Sequence, residues 1–168
     1  MTCGTANPWQ CLPSTSCPSG WTVSGSKCFN VFPGPSNWLA ALQTCIAQGG
    51  TLAKVESQAE QDLVLGLLNN SDLAWIGLQV SGEAGRGLGL ETSRICLQDF
   101  LLEGTYSWAD GSSLGSYGSV LQTNPPWQNN QPNNGGVGQH CVSLGPSGWN
   151  DVICNTQRKF VCQRTAAS

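Results

Sequence analysis

Nine cysteines in 168 residues constrain this chain more than any other feature of its sequence. Cysteine at that density belongs to an oxidising compartment, where pairs close into disulfides and hold together folds with much irregular backbone. The reduced-compartment alternative is a metal-thiolate site or a redox pair. No C-x-x-C motif occurs, and a single histidine, His140, leaves few mixed Cys/His ligand sets. The cysteines therefore read as the disulfide framework of a secreted, extracellular protein. Nine is odd, so one cysteine stays unpaired within the chain or bridges to another molecule.

The length suits one domain with a core of its own. Only 10% of residues are charged, against about 25% in ordinary globular domains. Gly, Ser, Thr, Asn and Gln must wet this surface, which favours neutral polar ligands over ionic ones. A net charge of −3, with Arg158-Lys159 the only adjacent basic pair, excludes the clustered cations that nucleic acid demands. No apolar run approaches the ~20 residues of a membrane span. Met1-Thr2-Cys3-Gly4 lacks the pattern of a signal peptide, so the expectation is a removed signal or an added Met1.

Residues 1–16 carry Cys3, Pro8, Cys11 and Pro13 without periodicity, an irregular arm pinned by disulfides. From Cys17, two β-prone runs flank Ser24-Gly25-Ser26, which predicts a hairpin with Cys17 and Cys28 close enough to bridge it. Ser36 is expected to open a helix carrying Trp38, Ala41, Leu42, Cys45 and Ile46 at helical spacing, stopped by Gly49-Gly50. Residues 51–55 read as a short strand. Ser57-Gln58-Ala59-Glu60 is a capping box for a second helix with Leu63, Val64, Leu67 and Leu68 on one face, ending near Asn69-Asn70. Asn69-Asn70-Ser71 is also a glycosylation sequon. Ala74-Trp75-Ile76-Gly77-Leu78 is a buried strand, and a Gly-rich stretch follows as a surface insertion at about 81–104. Thr105-Tyr106-Ser107-Trp108 alternates and turns at Asp110-Gly111. Residues 111–136 are loop around Trp127, long enough to suggest function. His140 to Leu144, Trp149 to Cys154 and Lys159 to Cys162 supply the closing strands.

This order of parts resembles the long form of the C-type lectin-like domain. The resemblance rests on Cys17 with Cys28, two helices, Trp75-Ile76-Gly77-Leu78, Trp108-Ala109-Asp110-Gly111, Gln131-Pro132-Asn133, Trp149-Asn150-Asp151 and Phe160-Val161-Cys162. It implies an α+β, disulfide-stapled fold over residues 17–165, with two helices on small antiparallel sheets and a long irregular loop region. It implies the bridges Cys17–Cys28, Cys45–Cys162 and Cys141–Cys154, and a cis peptide at Pro132. Cys3, Cys11 and Cys96 lie outside that set. Cys96 is expected to bridge Cys3 or Cys11, leaving one thiol for a disulfide-linked partner.

In sugar-binding members of that family one Ca²⁺ sits where the proline-flanking pair meets the Asn-Asp after the tryptophan. Carried over, its ligands are Gln131, Asn133, Gln139, Asn150 and Asp151, which also contact the sugar. Ca²⁺ takes 6–8 oxygens and favours carboxylates. Here Gln139 stands where the family has Glu, and Asp151 is the only carboxylate from residue 111 onward. The implied calcium site is thus weakened, and shallow. Gln131-Pro132-Asn133 is a hybrid of the family's mannose-type and galactose-type patterns. Trp127 either stacks on a sugar face or packs the loop onto the domain, and packing is favoured.

The expected function is an extracellular carbohydrate-binding lectin module for glycans or glycoproteins, in adhesion or recognition. The alternative is a calcium-independent protein-interaction, matrix, ice- or mineral-binding protein on the same fold. No activated nucleophile, G-x-S-x-G motif or paired carboxylate site supports an enzyme.

Overall fold

The computed structural model describes residues 15–80, 106–115, 117, 126–132 and 139–167. Cys3, Cys11 and Cys96, the insertion and Asn133 lie outside the described residues. The chain opens with the hairpin, β1 (Thr22–Ser24) and β2 (Lys27–Ser36), turning at Gly25-Ser26. Cys17 and Cys28 bridge its base. Outside the hairpin, Ser16 pairs with Ala167 across the two ends of the described chain.

Helix α1 spans Trp38–Ala47. Its cap is Asn37, whose side-chain oxygen accepts from the Ala40 N–H at 2.8 Å. Ser36, expected to open the helix, instead ends β2 opposite Arg158 and gives its carbonyl to the Trp75 indole. The buried stripe is Trp38, Ala41 and Cys45, spaced i, i+3, i+7; Leu42 is half-buried and Ile46 is exposed. Ile46 follows Cys45, which the bridge to Cys162 turns inward, and so falls on the solvent side.

Strand β3 is only Thr51–Leu52, shorter than the 51–55 expected. Past Leu52 the Ala53 N–H still donates to the Val161 carbonyl of β8 at 2.9 Å, but the Ala53 carbonyl accepts from Gly77 at 2.8 Å and the Lys54 N–H donates to the Gln163 side chain at 2.7 Å, so the ladder goes no further. Helix α2 (Gln58–Leu67) starts at Ser57, whose hydroxyl accepts from the Glu60 N–H. The return half of the box is displaced by one residue, since the Glu60 carboxylate accepts from the Glu56 N–H at 2.8 Å and also holds Lys27.

The remaining strands are β4 (Ala74–Val80), β5 (Tyr106–Trp108), β6 (Cys141–Gly145), β7 (Gly148–Val152) and β8 (Arg158–Thr165). The expected small antiparallel sheets are joined into one mixed sheet of order β1-β2-β8-β4-β6-β7, with β3 on β8 and β5 on β4. The cause is β8, which lies antiparallel to β2 and parallel to β4 and so links the two halves. The core divides into two clusters. One gathers Ile76, Leu78, Trp108, Trp127, Val142, Leu144 and Trp149 with the α2 face. The other gathers Trp38, Leu52, Trp75, Phe160 and the Cys45–Cys162 bridge. All three expected disulfides form.

Candidate functional site

Strand β7 ends the sheet order, and among the described residues its outer edge is paired at one place. There the loop before residue 132 comes to lie on it. The Trp149 N–H donates to the Pro126 carbonyl and the Gln128 N–H donates to the Trp149 carbonyl, each at 2.9 Å. Gly148 makes this approach possible. Its φ is +112°, and a Cβ built there would stand 2.6 Å from Pro126 O and 2.8 Å from Gln128 N. The chain then turns through Asn130 (φ +62°), closed by the Gln131 N–H on the Gln128 carbonyl at 2.9 Å, and enters the cis peptide Gln131-Pro132. The loop thus lies against Trp149 at Pro126 and Gln128, and Gln131 follows three residues beyond the second contact.

An aromatic cluster supports the junction. The Trp149 ring meets Trp127, Trp108 and Tyr117 edge-on at centroid distances of 5.5, 5.9 and 6.0 Å. Its indole N–H donates to the buried Gln61 side chain of α2 at 2.8 Å. Trp127 is 7% exposed and packs between Tyr106 and Trp149. Its ring fastens the loop to the domain and offers no open face for stacking on a sugar.

Pleating sends Trp149 and Asp151 to one face of β7. Asp151 pairs with Val142 and is fully buried. Burial, then the negative charge of Asp151, raises the Tyr106 phenol well above its ordinary value, which keeps it a neutral hydroxyl. Asn150 is half-buried opposite Ser143, and Gln131 is half-buried on the loop. Gln139 precedes β6, whose first residue is bridged to Cys154 beyond β7. Its amide oxygen is buried and has no hydrogen-bond partner among the described residues.

That acceptor is what a cation or a ligand hydroxyl would satisfy. A donor set of Gln131, Gln139, Asn150 and Asp151 is all oxygen on its acceptor side and fits a hard cation in kind. It supplies one carboxylate, and no cluster of three His, Cys, Asp or Glu exists among the described residues. Gly148, Tyr106 and Gln61 escaped the reading of the sequence. Gly148 was findable, as a glycine at the start of a strand where another backbone closes in; Gln61 and Tyr106 carried no signal.

A disulfide-tied α+β domain with a polar site where a proline-turned loop meets a Trp-Asn-Asp strand defines a class of lectin-like domains. The chain belongs to the C-type lectin domain family, whose lectin C-type domain model matches residues 34–164. It is 31% identical over 153 residues to the galactose-specific lectin nattectin of Thalassophryne nattereri, covering 90% of this chain and 82% of that one. Receptor-type relatives are matched over only about a third of their length. Among solved structures, the carbohydrate-recognition domain of cow CD23, crystallised with a GlcNAc2Man3 oligosaccharide, superposes with a TM-score of 0.68 at 28% identity, covering 92% of this chain and 99% of that one. A calcium-independent type II antifreeze protein shares the fold at 0.66 and 24% identity, covering 92% and 98%.

Proposed function

We propose that the protein is an extracellular glycan-binding domain whose site lies where the Gln131-Pro132 loop meets Asn150 and Asp151. The observation that carries this reading is the double hydrogen bond between the loop and Trp149, which brings the two segments side by side. The side-chain amides of Gln131, Gln139 and Asn150 present donors and acceptors in pairs, the pattern that neighbouring sugar hydroxyls require. Asn133 extends the same set. The low charge of the chain suits a neutral ligand.

Gln131, Asn133, Gln139, Asn150 and Asp151 would hold a calcium ion, whose chemistry when bound is to accept two adjacent sugar hydroxyls. With one carboxylate the affinity for the ion is low. The buried Asp151 serves as the negative base of the pocket, and the amides orient the ligand. Nattectin is described as galactose-specific and the cow CD23 domain was crystallised with a mannose-containing oligosaccharide. The hybrid Gln131-Pro132-Asn133 is consistent with either hydroxyl pattern.

The scarcity of carboxylates also favours a second reading, a calcium-independent binder of protein, matrix, ice or mineral. A glycan array run in calcium and again in chelator separates the two. Sugar binding that falls in chelator supports the lectin with its ion; equal binding in both buffers supports recognition by the amides alone. No binding in either buffer removes the lectin reading.

A further inference from the structure

We propose that Asn69 carries an N-linked glycan, an assignment that rests on the extracellular reading. The Asn69-Asn70-Ser71 sequence sits on the three-residue turn after α2, and all three residues are exposed. Their backbone is satisfied from behind: the amides of Asn69, Asn70 and Ser71 donate to the carbonyls of Gly66, Leu65 and Leu68. The turn is fastened at both ends, by the buried Leu68 before it and by the 2.6 Å Asp72–Lys159 ion pair after it. No described residue bonds to the Asn69 side-chain amide or the Ser71 hydroxyl. A transferase needs this presentation: a free acceptor nitrogen, a free hydroxyl two residues on, and no proline between.

The competing explanation is backbone economy. Asn69 and Asn70 have φ of +53° and +54°, and Asn tolerates the left-handed region better than other non-glycine residues. That accounts for both asparagines. It leaves the exposed, unbonded Ser71 without a role, which the sequon supplies.

In the transfer, the Asn69 amide nitrogen bonds to the anomeric carbon of an oligosaccharide carried on a lipid pyrophosphate. The anomeric C–O bond breaks, the lipid pyrophosphate leaves with the electron pair, and the nitrogen gives up one proton. Leu73, two residues beyond the sequon, packs against Gly145 at the end of β6 remote from Gln139. Gly145 and Cys141 are the two ends of β6, four residues and about 13 Å apart, and Gln139 lies two residues before Cys141, so the glycan is attached toward the opposite end of the strand from Gln139.

The test is secretion of the full chain from a eukaryotic host behind a supplied signal, followed by peptide mass spectrometry after amidase release. The parent and Ser71→Thr should carry glycan at Asn69; Asn69→Gln and Ser71→Ala should not. A secreted parent with its three bridges intact and Asn69 unmodified overturns the assignment. So does glycan that persists on Asn69 in Ser71→Ala. Array binding by the same preparations is scored separately: a glycosylated protein that binds no sugar leaves this assignment standing and removes the lectin reading.

Discussion

Replacing Gly148 with alanine tests whether the loop is held on β7 as the structure describes. Two costs add. The residue sits at φ +112°, outside the ordinary range of an L-residue, which costs about 1–3 kcal/mol. The added methyl would also stand 2.6 and 2.8 Å from backbone atoms of Pro126 and Gln128, and backbone cannot swing aside as a side chain can. The cheapest relief is to lift the loop off the strand, giving up two hydrogen bonds worth about 0.5–1.5 kcal/mol each. Together these destabilise the domain by about 2–6 kcal/mol, a large part of a stability of about 5–15 kcal/mol. Gly111 is the control. Its φ is +84° with nothing within 4 Å of a built Cβ, so Gly111→Ala bears the conformational cost alone. Urea unfolding of both variants, with hydrogen exchange at the Gln128 and Trp149 amides, reads the difference. Gly148→Ala should be the less stable by about 1–3 kcal/mol, with both amides losing protection. Equal stability in the two variants, with Trp149 still protected, would refute the proposed clamp.

Three further outcomes are expected. Gln139→Glu adds a second carboxylate to the proposed ligand set and should tighten calcium binding at least several-fold by calorimetry, while Asp151→Asn should abolish it. Replacing Cys45 and Cys162 together with Ala frees two positions 117 apart and should cost about 4–5 kcal/mol of stability in denaturant melts. Stability should fall at both pH extremes. Burial pushes the Lys27 ammonium down, but the hydrogen bonds it donates to the Glu56 and Glu60 carboxylates, with their charge, more than reverse this and raise it, so its contribution is full below about pH 10.4 and is lost as pH rises beyond. Burial pushes the Asp110 carboxyl up, but Ser112 and Lys54 more than reverse this and lower it; its contribution is present above about pH 3.9 and is lost as pH falls below. Lys27→Met should lessen the alkaline loss above about pH 10 in pH-scanned thermal melts without removing it, because the buried Tyr106 phenol, held neutral in the fold, adds a loss of its own there.

Much of this architecture is legible in the residues alone. Ser57 as a cap, Gly49-Gly50 as a stop and Trp75-Ile76-Gly77-Leu78 as a buried strand are local signals, and each appears where the chemistry of the residue requires. Boundaries set by distant partners were not legible. Asn37 rather than Ser36 caps α1 because β8 pairs with Ser36 through Arg158. β3 stops at Leu52 because Gly77 takes the Ala53 carbonyl and the Gln163 side chain takes the Lys54 N–H, both partners far along the chain. The joining of the strands into one sheet depends on β8 reaching both β2 and β4, a long-range choice that alternation cannot express. At the site, motif order led to the expectation that Gln131, Asn150 and Asp151 share one neighbourhood, and the packing of Trp127 was legible in its loop. The burial of Asp151 was hidden, because it follows from how the aromatic cluster closes over β7.

The central claim is that ligand binds where the Gln131-Pro132 loop meets the Trp149-Asn150-Asp151 strand. The most direct measurement is an NMR titration of the labelled protein with the best array sugar. The account predicts saturable shifts at the side-chain amides of Gln131, Gln139 and Asn150 and at the Asp151 backbone, with α1 unmoved. Saturable shifts confined to another face of the domain, with these four residues silent, would contradict it.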